Sequence, residues 1–213
     1  MSFILPEEVD DYAEAHTTPP EPLLQRLREE TRATLRSPQM LTGPVEGRLL
    51  ELLVFATRPQ RVLELGTYSG YSAISMAAAL PQGGRIDTCE LEEEFAAVAR
   101  RYIEEAGYAD RITIHLGPAL ETVERLEGPY DFVFVDADKV NYARLYEKIL
   151  PRLADRGLIA FDNTLWSGRV LDPEDREAET QGIRALNERL ATDQRVVAVQ
   201  LTVRDGITLV RRR

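Results

Sequence analysis

One cysteine, two histidines and one tryptophan are all that 213 residues contain of those types, and each scarcity closes off some chemistry. Cys89 alone cannot form an internal disulfide, and within the run 85–90 it reads as a small buried apolar group on a strand. Two histidines are too few for a His-rich zinc site. They also fit a serine–histidine–carboxylate triad poorly: His16 is expected ahead of the folded core, and His115 falls inside a strand pattern at 112–116. Long apolar runs are missing too. The longest are strand-length, so no segment reads as a bilayer span. The opening Met-Ser-Phe-Ile-Leu-Pro-Glu-Glu lacks a basic n-region, which argues against a secretory signal and makes the cytoplasm the expected location. There is no excess of positive charge. A net charge of −10 repels a phosphate backbone, so a nucleic-acid partner is not expected, and Arg211 to Arg213 read as a solvated chain end.

Two phosphate-binding motifs are also absent. The first glycine turn is spaced G-x-x-x-G, without the G-x-G-x-x-G of dinucleotide fingerprints, and no Gly-Lys-Ser/Thr follows a glycine loop. A nicotinamide oxidoreductase and a nucleotide-triphosphate P-loop are both disfavoured.

What is present is the balance of a globular protein, 44% hydrophobic and 29% charged, at a length that suits one α/β domain. No repeat or Gly/Ser linker divides it. Residues 1–57 are expected to form a helical segment that contributes to the cofactor and substrate sites, and 58–213 an α/β core. A helix is predicted to enter at Thr17-Thr18-Pro19-Pro20, with Leu23, Leu24, Leu27 and Leu35 as its stripe. Another is expected over 44–56, with Val45, Leu49, Leu52 and Leu53 on one side. From 61 onward strands (61–65, 85–90, 111–116, 130–136, 158–161) alternate with helices (71–80, a stretch from Phe95 to Gly107, one opened by Pro118, one ending at 153, and 183–190). The near-continuous apolar run 130–136 is what a parallel strand buried on both faces requires. Two last strands, 196–203 and 207–210, flank Arg204-Asp205-Gly206, a hairpin signal. The segment 162–179 shows little periodicity, directly follows a strand end, and is expected to form a lid.

Three clusters carry the chemistry. In Glu64-Leu-Gly66-Thr-Tyr68-Ser-Gly70-Tyr-Ser72 a carboxylate precedes the glycine turn, which suits a ligand with a cationic amino-acid end and no phosphate. Glu90, 24 residues after Gly66, closes the second strand where a carboxylate can accept both ribose hydroxyls of an adenosine; Glu92 to Glu94 read simply as a helix start. Two later strands end in Asp136-Ala-Asp138-Lys139 and Asp162-Asn163. Neighbouring carboxyl ends of a doubly wound sheet face one crevice, so Asp136, Asp162 and Asn163 form an oxygen set suited to Mg²⁺ or Ca²⁺. Turn and cap roles would explain any one of them, and all three together poorly. A phenol of pKa ~10 is mostly protonated at neutral pH, so a divalent ion on its oxygen would help to make a nucleophile. Lys139 is the expected proton acceptor, its pKa lowered by the ion and by partial burial; the alternative is a surface lysine paired with Asp138. Trp166 either stacks on an aromatic acceptor or packs its loop.

These residues resemble the cation-dependent class I O-methyltransferases, of the caffeoyl-CoA and catechol O-methyltransferase type. The likeness covers nearly the whole chain from about Leu23 and is most specific in 64–72, 136–142 and 162–168. It implies a Rossmann-like S-adenosylmethionine-dependent methyltransferase fold, a mostly parallel seven-stranded sheet with a C-terminal antiparallel hairpin. It implies S-adenosylmethionine as cofactor, with contacts from Met40, Thr42, Glu64, Gly66, Tyr68, Ser72, Glu90, Ala119 and Asp136. The family's adenine turn is usually Gly-Asp-Ala; Gly117-Pro118-Ala119 departs from it at Pro118. The likeness further implies Asp136, Asp162 and Asn163 as ligands of Mg²⁺ (or Ca²⁺ or Mn²⁺), Lys139 as base, a small catechol-like acceptor and a homodimer. Left open are a transfer-RNA hydroxyuridine methyltransferase, which the net charge argues against, and a cofactor-binding protein without catalysis.

Overall fold

The computed structural model describes residues 6–213. The reading of the opening residues as unlike a secretory signal rests mainly on 1–5, outside the described residues. Among the described residues no helix is long and apolar enough to cross a membrane.

The chain begins with α1 (Glu7–Ala15), α2 (Pro22–Thr34) and α3 (Gly43–Thr57). It then alternates: β1 (Arg61–Leu65), α4 (Tyr71–Ala78), β2 (Arg85–Glu90), α5 (Glu93–Glu105), β3 (Ile112–Leu116), α6 (Ala119–Arg125), β4 (Tyr130–Val135), α7 (Tyr142–Ile149), β5 (Leu153–Phe161), α8 (Ala178–Thr192) and the hairpin β6 (Val196–Leu201) and β7 (Ile207–Arg212). The seven strands are ordered β3-β2-β1-β4-β5-β7-β6. β1 to β5 are parallel, and β7 runs antiparallel to both β5 and β6. This is the architecture that the resemblance implies.

Alternation along the central strands decides which layer each side chain joins. Val62, Phe132, Phe134 and Ala160 point into the layer formed with α2 to α5. Leu63, Leu65, Val133, Val135, Ile159 and Phe161 point into the layer that holds Tyr142, Leu145, Ile183 and Leu186. Burial on both faces explains why β4 reads as an unbroken apolar run.

Several expectations need correction. α1 was not foreseen; His16 ends it, exposed and ahead of the core that begins at Leu24, its ring stacked on Tyr12 at 3.8 Å and its Nδ1 2.8 Å from the Tyr12 carbonyl oxygen. The buried stripe of α3 is Gly47, Leu50 and Val54 with Glu46, whereas Leu52 is 62% exposed. Leucines occupy several faces of that helix, so apolar spacing alone does not choose among them. Leu153 opens β5 instead of closing a helix, and β5 shifts register against β4 between Tyr130 and Phe132. The segment after Asn163 is not devoid of structure: Trp166–Leu171 forms a short 3-10 stretch, interrupted at Ser167 and Gly168. Arg184 of α8 fastens it by bonding the carbonyls of Arg169, Val170 and Asp175. Arg211 and Arg212 belong to β7 rather than to a free tail.

Candidate active site

The carboxyl ends of β1, β2, β4 and β5 supply most of the site. Gly66 follows β1 with φ +107°, and a Cβ there would lie 2.2 Å from the Asp136 carbonyl oxygen, so only glycine fits where the turn crosses the end of β4. Tyr68 adopts φ +48° beneath it, its backbone N–H donating to Glu90 Oε2 at 2.7 Å. The other oxygen of Glu90 accepts from the N–H groups of Leu91 and Glu92 at 2.8 and 2.9 Å. Glu90 is therefore fixed at the end of β2, 7% exposed, and burial raises its pKa despite those bonds. The Tyr68 hydroxyl donates to the Arg36 carbonyl at 2.9 Å and so ties the glycine turn to the segment after α2.

Glu64 is fully buried. Thr88 Oγ1 donates to its Oε2 at 2.5 Å, while Oε1 has no partner. Burial pushes its carboxyl up to about 8. A buried acid with an orphaned oxygen beside a glycine turn fits a ligand that brings its own cation. Ser72 lies next to it, 3% exposed.

The pairing of Val135 with Phe161 sets Asp136 and Asp162 at the ends of adjacent strands. Asp162 is 5% exposed, its Oδ1 unpartnered, and its pKa is held well above the aspartate range by burial and then by Glu46 and Asp136. Lys139 Nζ donates to Asp136 Oδ1 at 2.5 Å and to the Tyr142 hydroxyl at 2.8 Å. Tyr142 in turn lies 3.1 Å from the carbonyls of Val135 and Asp162. Burial does oppose the charge on Lys139, but Asp136, Tyr142 and Asp162 outweigh it, so the protein's own groups hold the ammonium above the ordinary lysine range. The lysine is not a surface residue paired with Asp138, which instead caps the next turn through the Val140 N–H.

Two members of the cluster escaped the sequence reading. Glu46, 2% exposed, pairs with Arg204 Nη1 at 2.8 Å, and its second oxygen has no partner. Its signal was present: Glu46, Leu50 and Val54 lie at i, i+4 and i+8, which puts an acid on a buried stripe. Arg204 looked like a turn residue, and it does occupy the turn at φ +49°. Its guanidinium nevertheless reaches across to α3.

The other expected residues are placed as follows. Asn163 adopts φ +57°, a conformation that Asn tolerates. Met40 is 51% exposed in the 3-10 turn Pro38–Met40, and Thr42 is buried at the entrance to α3. Ala119 opens α6 after the Gly117 turn, with Pro118 one position ahead of the helix instead of inside it. Trp166 packs against the core layer of Tyr142 and Ile183, its Nε1 buried without a partner.

Among the described residues no three His, Cys, Asp or Glu side chains stand together as ready metal ligands. The donor chemistry fits a hard cation all the same. Glu46 and Asp162 each bury an oxygen without a hydrogen-bond partner; burial pushes both carboxyls towards the neutral form, Asp136 adds to both, and Glu46 adds to Asp162.

The O-methyltransferase family matches residues 14–213. The chain belongs to that family. A caffeoyl-CoA O-methyltransferase of Zinnia elegans is 37% identical over 213 residues, covering 93% of this chain and 86% of that protein. An O-methyltransferase from Bacillus cereus, solved in complex with SAH, superposes with TM-score 0.89 at 32% identity, covering 97% of both chains. The O-methyltransferase TomG of Streptomyces achromogenes, solved with SAM and involved in tomaymycin synthesis, gives TM-score 0.87 at 32% identity over 96% of each chain. The enzyme is thus an S-adenosylmethionine-dependent O-methyltransferase, and the Gly66 turn with Glu64 and Glu90 is where its own residues suit that cofactor.

Proposed function

We propose that the enzyme transfers the methyl group to a hydroxyl of a small, catechol-like acceptor and that it depends on a divalent cation, with Mg²⁺ the expected ion. The observation that carries this reading is the unpartnered Oδ1 of Asp162, buried beside Asp136, Glu46 and Lys139 at the end of β5. Asp136, Asp162 and Asn163 would hold the ion. When bound, it supplies positive charge that acidifies a hydroxyl resting on it.

The remaining chemistry belongs to the chain. Glu64 and Glu90 fix the amino-acid and ribose ends of S-adenosylmethionine, whose sulfonium carries an electrophilic methyl group. Tyr142 holds Lys139 Nζ at 2.8 Å. Lys139 becomes a proton acceptor only by giving up the Asp136 pairing that keeps it charged, and then takes the acceptor's hydroxyl proton. The freed oxygen attacks the methyl carbon, the carbon–sulfur bond breaks, and S-adenosylhomocysteine leaves. Vicinal hydroxyls favour this arrangement because two oxygens fix one another's orientation. The caffeoyl-CoA activity of the relatives points to the same acceptor chemistry. Assembly as a homodimer, with residues 1–57 completing the cofactor and substrate sites, belongs to the same proposal; sedimentation of the purified protein tests the dimer.

The deciding experiment compares Asp162→Ala with Lys139→Ala over a Mg²⁺ titration. Asp162→Ala should lose activity and recover partly with excess Mg²⁺. Lys139→Ala should lose about 10²–10⁴-fold, gain nothing from Mg²⁺, and recover as pH rises. Full activity of the dialysed wild type in EDTA would overturn the metal dependence. Equal rates on matched diphenol and monophenol would overturn the acceptor class, and efficient methylation of hydroxylated transfer RNA with poor diphenol turnover would replace it.

A further inference from the structure

The turn between β6 and β7 places a long charged side chain where its backbone asks for none. Arg204 sits at φ +49°, a conformation that glycine takes without strain and that L side chains rarely adopt. Asp205 and Gly206 complete the reversal, which needs no arginine. The reason lies at the other end of the side chain. The guanidinium is mostly buried and donates from Nη1 to Glu46 Oε2 on α3 at 2.8 Å.

Glu46 in turn faces the site. Its carboxylate stands within hydrogen-bonding reach of Asp162 and in the field of Asp136. Neither Glu46 Oε1 nor Asp162 Oδ1 finds a donor, although both residues are buried. Two acids set together in a buried place, each with an oxygen left over, repel one another unless positive charge enters between them. The chain brings two cations to this place. Lys139 is engaged by Asp136 and Tyr142. Arg204 takes Oε2 of Glu46, leaves its Oε1 without a partner, and reaches Asp162 as a field.

We propose that Glu46 and Arg204 together set how tightly the site holds its divalent cation: Glu46 adds negative charge beside Asp162, and Arg204 offsets that charge while holding the carboxylate in place. The proposal rests on the reading that Asp136, Asp162 and Asn163 hold the ion. Neither Glu46 nor Arg204 is a catalytic residue; both are positioning residues that act through Asp162. A dication feels each nearby charge about twice as strongly as a monovalent ion does, and burial limits the screening. The offset serves the chemistry, because an ion fully neutralised by carboxylates has less charge left to acidify a hydroxyl.

The test measures Mn²⁺ uptake by the S-adenosylhomocysteine complex, read from the loss of the free-ion electron paramagnetic resonance signal. The proteins are the wild type, Glu46→Gln, Arg204→Gln, Arg204→Lys and the double variant Glu46→Gln with Arg204→Gln. Glu46→Gln should weaken Mn²⁺ by about 5-fold or more, and Arg204→Gln should tighten it by about as much. The double variant should return to within about 2-fold of the wild type, since it removes one charge of each sign. Arg204→Lys keeps the charge and should match the wild type. A pair that merely fastens the hairpin to α3 would weaken uptake in both single variants. That result, or an equal Kd throughout, overturns the proposal. Should Glu46→Gln fail to fold, the direction of the change in Arg204→Gln decides alone. Asp162→Ala tests the underlying reading separately. If the wild type takes up Mn²⁺ and Asp162→Ala does not, the cation site stands even where the pair has no effect; if the wild type takes up none, both readings fall.

Discussion

Glu64 carries a charge that the folded protein, without a ligand, would rather not have. Its carboxyl titrates at 4.5 in water and at about 8 when buried behind β1. The folded state therefore binds the proton more tightly than the unfolded chain does. The stability this gives is complete below pH 4.5 and is lost as pH rises through about 8. At 1.36 kcal/mol for each pH unit, the loss between pH 5 and pH 8 is about 3 kcal/mol as an order of magnitude. Glu64→Gln removes the titration, so the variant should gain on the wild type over that interval. With 2–4 °C of melting temperature per kcal/mol at this size, the gap should widen by roughly 6–12 °C. Thermal unfolding of both proteins at pH 5, 6, 7 and 8 measures it; comparing the two cancels the other raised acids, Glu46, Glu90 and Asp162. S-adenosylhomocysteine, with its ammonium group, should then raise the wild type far more than the variant at pH 8. A gap that does not change between pH 5 and 8, or equal ligand affinity in the two proteins, would refute the assignment of Glu64.

Three other perturbations bear on the site. Glu90→Ala should weaken S-adenosylhomocysteine by about 1.5–3 kcal/mol, read by calorimetry, with no binding of NADH in either protein. Gly66→Ala should cost about 2–5 kcal/mol in chemical unfolding and remove cofactor binding, because it combines φ +107° with a Cβ 2.2 Å from the Asp136 carbonyl oxygen. Glu46→Ala removes the buried carboxylate that Arg204 Nη1 bonds at 2.8 Å and should cost about 3 kcal/mol, visible as a lower denaturant midpoint with unchanged m-value.

The sequence was most legible where one physical requirement acts alone. β4 must be apolar on both faces, and the Asp205-Gly206 turn must reverse the chain, so these elements stand out. The position of Glu90 was legible because it ends a strand at a fixed distance from a glycine turn. Reading failed where two requirements compete. Leu52 and Phe55 continue the apolar composition of α3 on its exposed side, at 62% and 71%, which hides the stripe that packs. Arg204 was obscured because a residue in a reverse turn needs no other reason to be there, and its partner Glu46 is 158 positions away. The partners of Lys139 were hidden for a similar cause. Sequence spacing places it three residues from Asp136, but only the fold shows the two side chains joined while Tyr142 closes around them.

The position of β7 governs when the enzyme can be finished. β6 is made first, yet it has no neighbour in the sheet except β7, and β7 is the strand that joins it to β5. While the ribosome has released only residues up to Leu201, the edge of β5 is open and β6 has nowhere to dock. The same late turn carries Gly206, whose carbonyl accepts from the Thr164 N–H, and Asp205, whose carbonyl accepts from the Leu165 N–H. It also carries Arg204, the partner of Glu46 on α3. α8 already holds the far part of the loop after Asp162 through Arg184, but its anchors to the sheet form only when residues 202–213 arrive. A nascent chain can build the cofactor half of the sheet, β1 to β3, long before it can hold the carboxylates of the acceptor half in place. Stalling translation after Leu201 should leave a species with a formed Gly66 turn and an exposed strand edge, a natural target for chaperones or for aggregation.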